Sequence, residues 1–389
     1  MTDTVDALQW AESLVPRLAE RAAQAEVLRE LPADTIDEVT RSGAFGLVMP
    51  VEMGGWGKGL RELTGVARTL AHGCVSSGWT LSFLMLHNWF LLRSPAALRD
   101  AVLDGATWSR IPCPLAPTGT ATPVDGGYRV SGRWQWATGV QHADWVMVNA
   151  LLPSDGPPQA RFVMAPMADV IVDDVWHTAG MRGTGSNDVV LDDVFIPEHL
   201  TVSAADFRGD NPPGGQDFDD PFVTYPLTPM LTLVAASPAL GGAEAAVEHF
   251  RDLLAERVLP YSGGIRQADQ GAARVRFADA LSTVRAARLV WEDAIEGVCT
   301  AYDAGRRLDP RERSRFRLAA AQVVRLSRQA VTTAVEGAGA SVYFLDSPLQ
   351  RIQRDLETIK GHVVYDWDRA ADLAGRLELG FEPEPTDMV

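Results

Sequence analysis

The sequence predicts a mainly helical chain with one β domain set between two α parts. Three observations carry this expectation. Segments rich in Ala and Leu, with apolar residues at helical spacing, fill the stretch before Trp108. From Trp108 onward Pro, Gly and Thr become frequent and short alternating segments appear. After Pro229 helical periodicity returns and persists. At 389 residues, 46% apolar and 22% charged, the chain can bury a full core without disulfide staples.

The elements follow in order. Leu8, Ala11, Leu14, Val15 and Leu18 lie on one face of a helix running from residue 4 to about residue 30. Pro32 precedes a second helix over Ala33 to Arg41, which Gly43 ends. A turn-rich break, Phe45 to Pro50 and Gly54 to Gly59, separates these from helices over Leu60–Ala71 and Ser77–Leu92. Tyr128–Ser131, Trp145–Asn149, Arg161–Met164 and Val189–Leu191 read as strands of a compact sheet or barrel, with Asp125-Gly-Gly127 as a turn. Arg208 to Pro221 holds three Pro, three Gly and four Asp and reads as an exposed loop. Thr232–Leu254, Gln270–Ala304 and Pro310–Gly337 are long enough for a packed helical bundle. The expected domains are 1–110, 111–225 and 226–389.

The formal charge of −16 disfavours nucleic acid and anionic membrane as partners, and argues against a large anionic substrate unless a local basic pocket overrides it. Cys74, Cys113 and Cys299 are odd in number and far apart, forming neither a disulfide framework nor a CxxC site. The N-terminus has acidic residues and no apolar signal core, and no uninterrupted apolar run approaches the ~20 residues of a membrane span, so a cytoplasmic protein is expected. Phosphate-binding glycine loops, GxSxG and HExxH are absent, and the seven histidines show no pair at metal-ligand spacing. That leaves an organic cofactor to carry the chemistry.

Three motifs in order narrow the choice. The run Arg133 to Trp145, with Trp136-Ala-Thr138, resembles the flavin-facing strand of acyl-CoA dehydrogenases. Gly180 to Val189 with Val194-Phe-Ile-Pro197 resembles that family's later barrel segment, and Ser347 to Asp355 its P-x-x-R-x-x-R-D helix start. The resemblance covers the whole chain. It implies a central β-barrel between an N-terminal helical domain and a C-terminal four-helix bundle, assembled as a homotetramer.

The departure from the dehydrogenases is as informative. Their catalytic glutamate commonly lies eight residues beyond the terminal Arg-Asp, where this chain has Val363. Gly361-His362, Leu84-Met-Leu-His87, Pro112-Cys113-Pro and Ala116-Pro-Thr-Gly119 instead resemble the oxygenase components of two-component flavin monooxygenases. This resemblance implies hydroxylation of a small, aromatic, phenolic substrate through a C4a-hydroperoxyflavin. Reduced FMN or FAD would come from a separate flavin reductase, with O₂ as co-substrate. His87 and His362 would be catalytic, since imidazole titrates near neutrality and can activate a phenol. Thr138 would meet flavin N5, Trp136 would cover the ring system or be a core aromatic, Cys113 would lie near the cofactor, and Ser186 and Asn187 would contact flavin or substrate or form a solvated turn. Arg351, Arg354 and Asp355 would serve flavin phosphates or an intersubunit ion pair. Phe83, Trp89, Phe222 and Tyr225 suggest an apolar pocket. Two alternatives stay open: an N- or S-oxygenase acting on an amine, amino sugar or organosulfur compound, and an FAD-dependent acyl-CoA dehydrogenase with Glu244 or Glu248 as base.

Overall fold

The computed structural model describes residues 5–156, 159–260, 262–384 and 387–388. Five helices come first: α1 (Ala7–Leu28), α2 (Ala33–Ser42), α3 (Leu60–Gly73), α4 (Val75–Arg93) and α5 (Ala96–Leu103). Asp6 caps α1 by accepting from the backbone N–H groups of Leu8 and Gln9, which starts the helix two residues into the described chain. Residue 4, the expected start, lies outside the described residues. The helix α5 went unread because its eight residues are too short for a clear period.

Seven strands follow: β1 (Pro117–Val124), β2 (Gly127–Ala137), β3 (Trp145–Leu152), β4 (Gln159–Pro166), β5 (Ile171–Asp173), β6 (Asn187–Pro197) and β7 (Thr201–Ser203). All four expected strand segments fall inside them. They form one mixed sheet in the order β5-β6-β2-β1-β3-β4-β7, antiparallel except for the β1–β3 pair. The expected closure into a barrel is not found among the described residues. The end strands β5 and β7 have three residues each and pair only inward, so the sheet stays open.

After the sheet come α6 (Ala204–Arg208), α7 (Leu227–Glu256), α8 (Gly271–Asp303), α9 (Pro310–Ala338), α10 (Pro348–Ile359) and α11 (Trp367–Glu378). Asp309 and Glu312 form a reciprocal capping box that starts α9. Helix α7 is apolar and long enough to cross a membrane, yet that whole window is buried inside the fold. It is a core helix: a Cβ on its Gly241 would come 2.0 Å from the Arg68 carbonyl oxygen, so only glycine lets α7 and α3 approach this closely. One continuous apolar cluster joins helices and sheet.

Candidate active site

Helix α4 is the spine of the site. It lies at the centre of the fold, and every residue in it is buried except Phe83. The accessible face of Phe83 therefore marks where the packing opens. Trp79, Phe83 and His87, spaced by four, share one helix face. Their rings meet in sequence, tilted at 4.8 Å from Trp79 to Phe83 and edge-on at 5.5 Å from Phe83 to His87. His362 closes the row on the other side, its ring edge-on to Trp79 at 5.7 Å. The two histidines expected from sequence are thus joined through two aromatic rings.

Their hydrogen bonds set opposite polarity. His87 Nδ1 lies 2.5 Å from the Ile111 carbonyl oxygen. A carbonyl only accepts, so Nδ1 carries the hydrogen and Nε2 presents a lone pair. At His362 the backbone N–H of Val364 donates to Nδ1 at 3.4 Å, which puts the ring hydrogen of the neutral form on Nε2. One imidazole is an acceptor and the other a donor.

A directed relay lies beside them. Trp79 Nε1 donates to Thr138 Oγ1 at 3.4 Å, and the Thr138 and Ser186 hydroxyls are 2.9 Å apart. Ser186 and Thr184 are 2.7 Å apart, and Thr184 donates to the Met181 carbonyl at 2.9 Å. Each hydroxyl has one hydrogen, so the terminal carbonyl orients the whole chain. Thr138 donates to Ser186, Ser186 donates to Thr184, and Thr138 keeps one lone pair free for an N–H donor. Reduced flavin carries such a donor at N5, and in this respect the residues present fit the cofactor. Gly139 turns the chain after Thr138 with φ +72°, and a Cβ there would press on Thr80 at 2.9 Å.

The other expected residues divide. Trp136 is 56% exposed at φ +66°, in a bulge of β2 against β6, so it is no core aromatic and its indole is free to cover a ligand. Ser186 is buried in the relay. Asn187 accepts from the backbone of Val175 and Trp176, which occupies it structurally. Cys113 is half-buried and unpaired, and burial pushes its thiol well up, so it is not a thiolate. Arg351 and Arg354 both pair with Glu26 of α1, an intrasubunit use of these residues. Trp89, Phe222 and Tyr225 pack on one another in the core, leaving Phe83 as the accessible ring of that set.

Of the two bases the dehydrogenase alternative offered, Glu248 is exposed on α7 and Glu244 is already occupied. Burial alone would raise the Glu244 carboxyl, but His72, Arg68 and Arg288 all bind it and hold it below the usual range. Val363 has no proton-accepting group.

Sequence reading missed two residues. Trp79 was detectable, four residues before Phe83 on a helical pattern. Arg93 had no local signal. Asp355, read with Arg351 and Arg354 for flavin phosphates or an intersubunit ion pair, has a different use within the chain. Asp355 reaches across from α10 to accept the Met181 backbone N–H at 2.5 Å, so it holds the turn carrying Thr184 and Ser186. Arg93 is fully buried and ties the 207–225 segment to α4. The loop over 208–221, expected as exposed, is largely so but anchored: Asp210 pairs with Arg313 and Asp217 with Arg99.

Burial pushes the conjugate acids of His87, His142 and His362 each down to about 4, with the Arg110 charge adding at His142. In the unfolded chain they titrate near 6.5. Between those values the unfolded chain binds more protons, so stability is present above about 6.5 and is lost as pH falls toward 4. Each histidine contributes a slope of up to about 1.4 kcal/mol per pH unit. Asp355 opposes this: burial pushes its carboxyl up to about 6, so the folded chain holds the extra proton between 3.8 and 6. Burial also lowers His249 and raises the Glu30 carboxyl, so four imidazoles oppose two carboxyls, and urea midpoints should fall from about pH 7.5 through 6 to 5. A midpoint that is level or rising over that range would contradict neutral, buried imidazoles.

An open sheet packed on helices, an oriented hydroxyl relay beside two imidazoles, and Val363 where a dehydrogenase keeps its glutamate fit a flavin enzyme of the acyl-CoA dehydrogenase fold. Comparison with known proteins agrees. The acyl-CoA dehydrogenase N-terminal domain profile matches residues 7–96, and the C-terminal domain profile matches 233–367. The chain is 32% identical over 378 residues, 96% of its length and 98% of the relative's, to the flavin-dependent monooxygenase oxygenase subunit HsaA of Rhodococcus jostii (strain RHA1). It is 31% identical to the oxygenase component of an FADH(2)-dependent resorcinol hydroxylase of Rhizobium sp. (strain MTP-10005), over 93% of this chain and 91% of that one. XiaF from Streptomyces sp., solved with FADH2 and glycerol, superposes with a TM-score of 0.92 at 28% identity, covering 98% and 97% of the two chains. This chain belongs to the oxygenase components of two-component flavin-dependent monooxygenases, within the acyl-CoA dehydrogenase family. It works with reduced flavin supplied from outside.

Proposed function

We propose that the chain hydroxylates a small phenol, with His87 as the group that engages the phenolic hydroxyl. The observation carrying this reading is the Ile111 carbonyl, which leaves His87 Nε2 as a buried acceptor beside the one accessible ring of α4. Bound reduced flavin supplies the electrons that activate dioxygen and delivers the oxygen atom. The chain's own residues do the rest. A phenol titrates near 10 and the His87 imidazolium at about 4, so in the resting pocket His87 accepts a hydrogen bond without taking the proton outright. As negative charge grows on the phenol oxygen, its attraction raises the imidazolium's pKa and the proton moves to Nε2. Thr138, oriented by Ser186 and Thr184, receives the N–H at flavin N5. His362 offers its Nε2 hydrogen on the cofactor side of Trp79. Trp136 covers the ring system, and Cys113 lines the pocket as a neutral thiol.

The partner is a flavin reductase that exchanges free reduced flavin, and the site of action is the cytoplasm. Tyr343, Phe344 and Leu345 form an exposed apolar tip of 62%, 69% and 79%, which supports a homo-oligomer, read as a tetramer. The domain division at 110 and 225 belongs to the same reading.

The test supplies chemically reduced FMN or FAD to the purified chain in air with a panel of phenols, amines, sulfides and an acyl-CoA. Hydroxylated phenol formed in preference to peroxide supports the proposal. Oxidation of the CoA ester, or oxygen transfer confined to nitrogen or sulfur, sinks it.

A further inference from the structure

Strand β2 breaks its own alternation at the site. Val130 and Trp134 are fully buried, and a period of two would bury Trp136 beside them. Instead Trp136 is exposed and Ala137 is buried in its place. The bulge is the cause. Trp134 pairs with Val189 and Ala137 with Asn187, so Gln135 and Trp136 together oppose the single residue Asp188. Trp136 takes a left-handed φ of +66° there, which a bulky side chain adopts only when its surroundings hold it. What holds it is Asp188, a carboxylate only 2% exposed. Its Oδ1 accepts the Trp136 backbone N–H at 3.3 Å, and its Oδ2 accepts Arg133 Nε at 2.8 Å. Arg133 is fixed in turn by Asp173 of β5, 2.7 Å from its Nη1, and Asp173 is the ladder partner of Asp188. Two residues earlier, just before β6, Ser186 meets the Thr138 hydroxyl at 2.9 Å. Residues 186 and 188 thus anchor residues 138 and 136, the two groups read as meeting the flavin ring.

We propose that Asp188 is a positioning residue for the flavin: by holding the Trp136 backbone in the bulge, it keeps that indole turned out over the ring system instead of inward on the sheet. This rests on the reading in which Trp136 covers the ring. Asp188 acts through the tryptophan, and Arg133 acts through Asp188. A ladder position buried this deeply suits an apolar residue, and a carboxylate is stable there because both its oxygens are hydrogen-bonded and a cation meets its charge. Ring cover and the contact at flavin N5 are then set by one short stretch, residues 186–188.

The test measures anaerobic binding of dithionite-reduced FMN and FAD by quenching of tryptophan fluorescence, in a double-mutant cycle. Trp136→Ala should weaken both flavins about ten-fold, the order expected for loss of one stacked aromatic. Asp188→Ala should weaken them about five-fold, but by less than about two-fold where Trp136→Ala is already present. Asp188→Asn keeps an oxygen for the Trp136 N–H and should stay within about two-fold of the wild type. Arg133→Gln alters a half-exposed side chain and should cost about three-fold with the same dependence on Trp136, so the cycle closes even where Asp188→Ala folds poorly. The flavin-free protein gives a second readout. Emission from Trp136, taken as the difference from the matching Trp136→Phe protein, should lose anisotropy in Asp188→Ala and keep it in Asp188→Asn. A merely structural carboxylate would lower the urea midpoint and move neither readout, which overturns the proposal. So does a loss of affinity that persists in full without Trp136. Wild-type affinity in Trp136→Ala removes the indole from the flavin and takes the proposal with it, whereas weakened binding there beside wild-type binding in Asp188→Ala refutes Asp188 alone.

Discussion

Arg93→Met is expected to cost about 4 kcal/mol or more of folding stability, a large part of the ~5–15 kcal/mol that holds a typical domain. The guanidinium is fully buried and makes five hydrogen bonds to four main-chain carbonyls, those of Phe207, Gly209, Val223 and Tyr225. Among the described residues no carboxylate pairs with it. Its charge is met by carbonyl dipoles and by the rings of Trp89 at 4.7 Å and Phe207 at 5.7 Å. Methionine fills much of the volume but strands those carbonyls in a dry interior, at about 1–3 kcal/mol for each that finds no other donor. Lysine brings only three donors from a single point and should recover a minor share. Urea unfolding measures the total. Limited proteolysis locates it, because residues 207–225 should become the first site of cleavage. Wild-type resistance in that segment, with an unchanged urea midpoint, would show that Arg93 does not hold it.

The same clamp illustrates what sequence could and could not disclose. Helical ends around a β centre were legible because apolar spacing is a local property: α3, α4, α7, α8 and α9 fall where periodicity put them, give or take a few residues. His87 and His362 were legible only through motif resemblance, since nothing local separates a pocket histidine from a packed one. Arg93 follows directly on the helix read over Ser77–Leu92 and carries no signal of its own. Its burial depends on carbonyls more than a hundred residues away. Glu244 likewise passed as a free carboxylate until α3 and α8 brought three cations to it. Closure of the sheet was decided by the brevity of β5 and β7, which no alternation pattern of three residues reveals. Polarity of the two imidazoles was equally hidden, because it is fixed by a carbonyl at 111 and an N–H at 364.

That polarity yields the sharpest catalytic expectation. His87→Asn keeps an N–H where Nδ1 stood, able to donate to the Ile111 carbonyl, and removes the Nε2 acceptor. Hydroxylated product should fall by about 10²-fold or more, the usual contribution of one positioned proton-transfer group. Consumption of reduced flavin and release of peroxide should persist, because Thr138, Ser186 and His362 are untouched. A general loss of structure would lower both together, which makes the ratio of product to peroxide the diagnostic measurement. Raising the pH toward the phenol's own pKa should narrow the defect, since substrate then arrives as phenolate and no acceptor is needed. In the wild type the His87 imidazolium at about 4 predicts no loss of activity from this residue between about pH 6 and 8. A His87→Asn enzyme that couples oxygen to phenol as well as the wild type at neutral pH would remove His87 from the chemistry, and the acceptor would have to be sought elsewhere along the Trp79–Phe83 face.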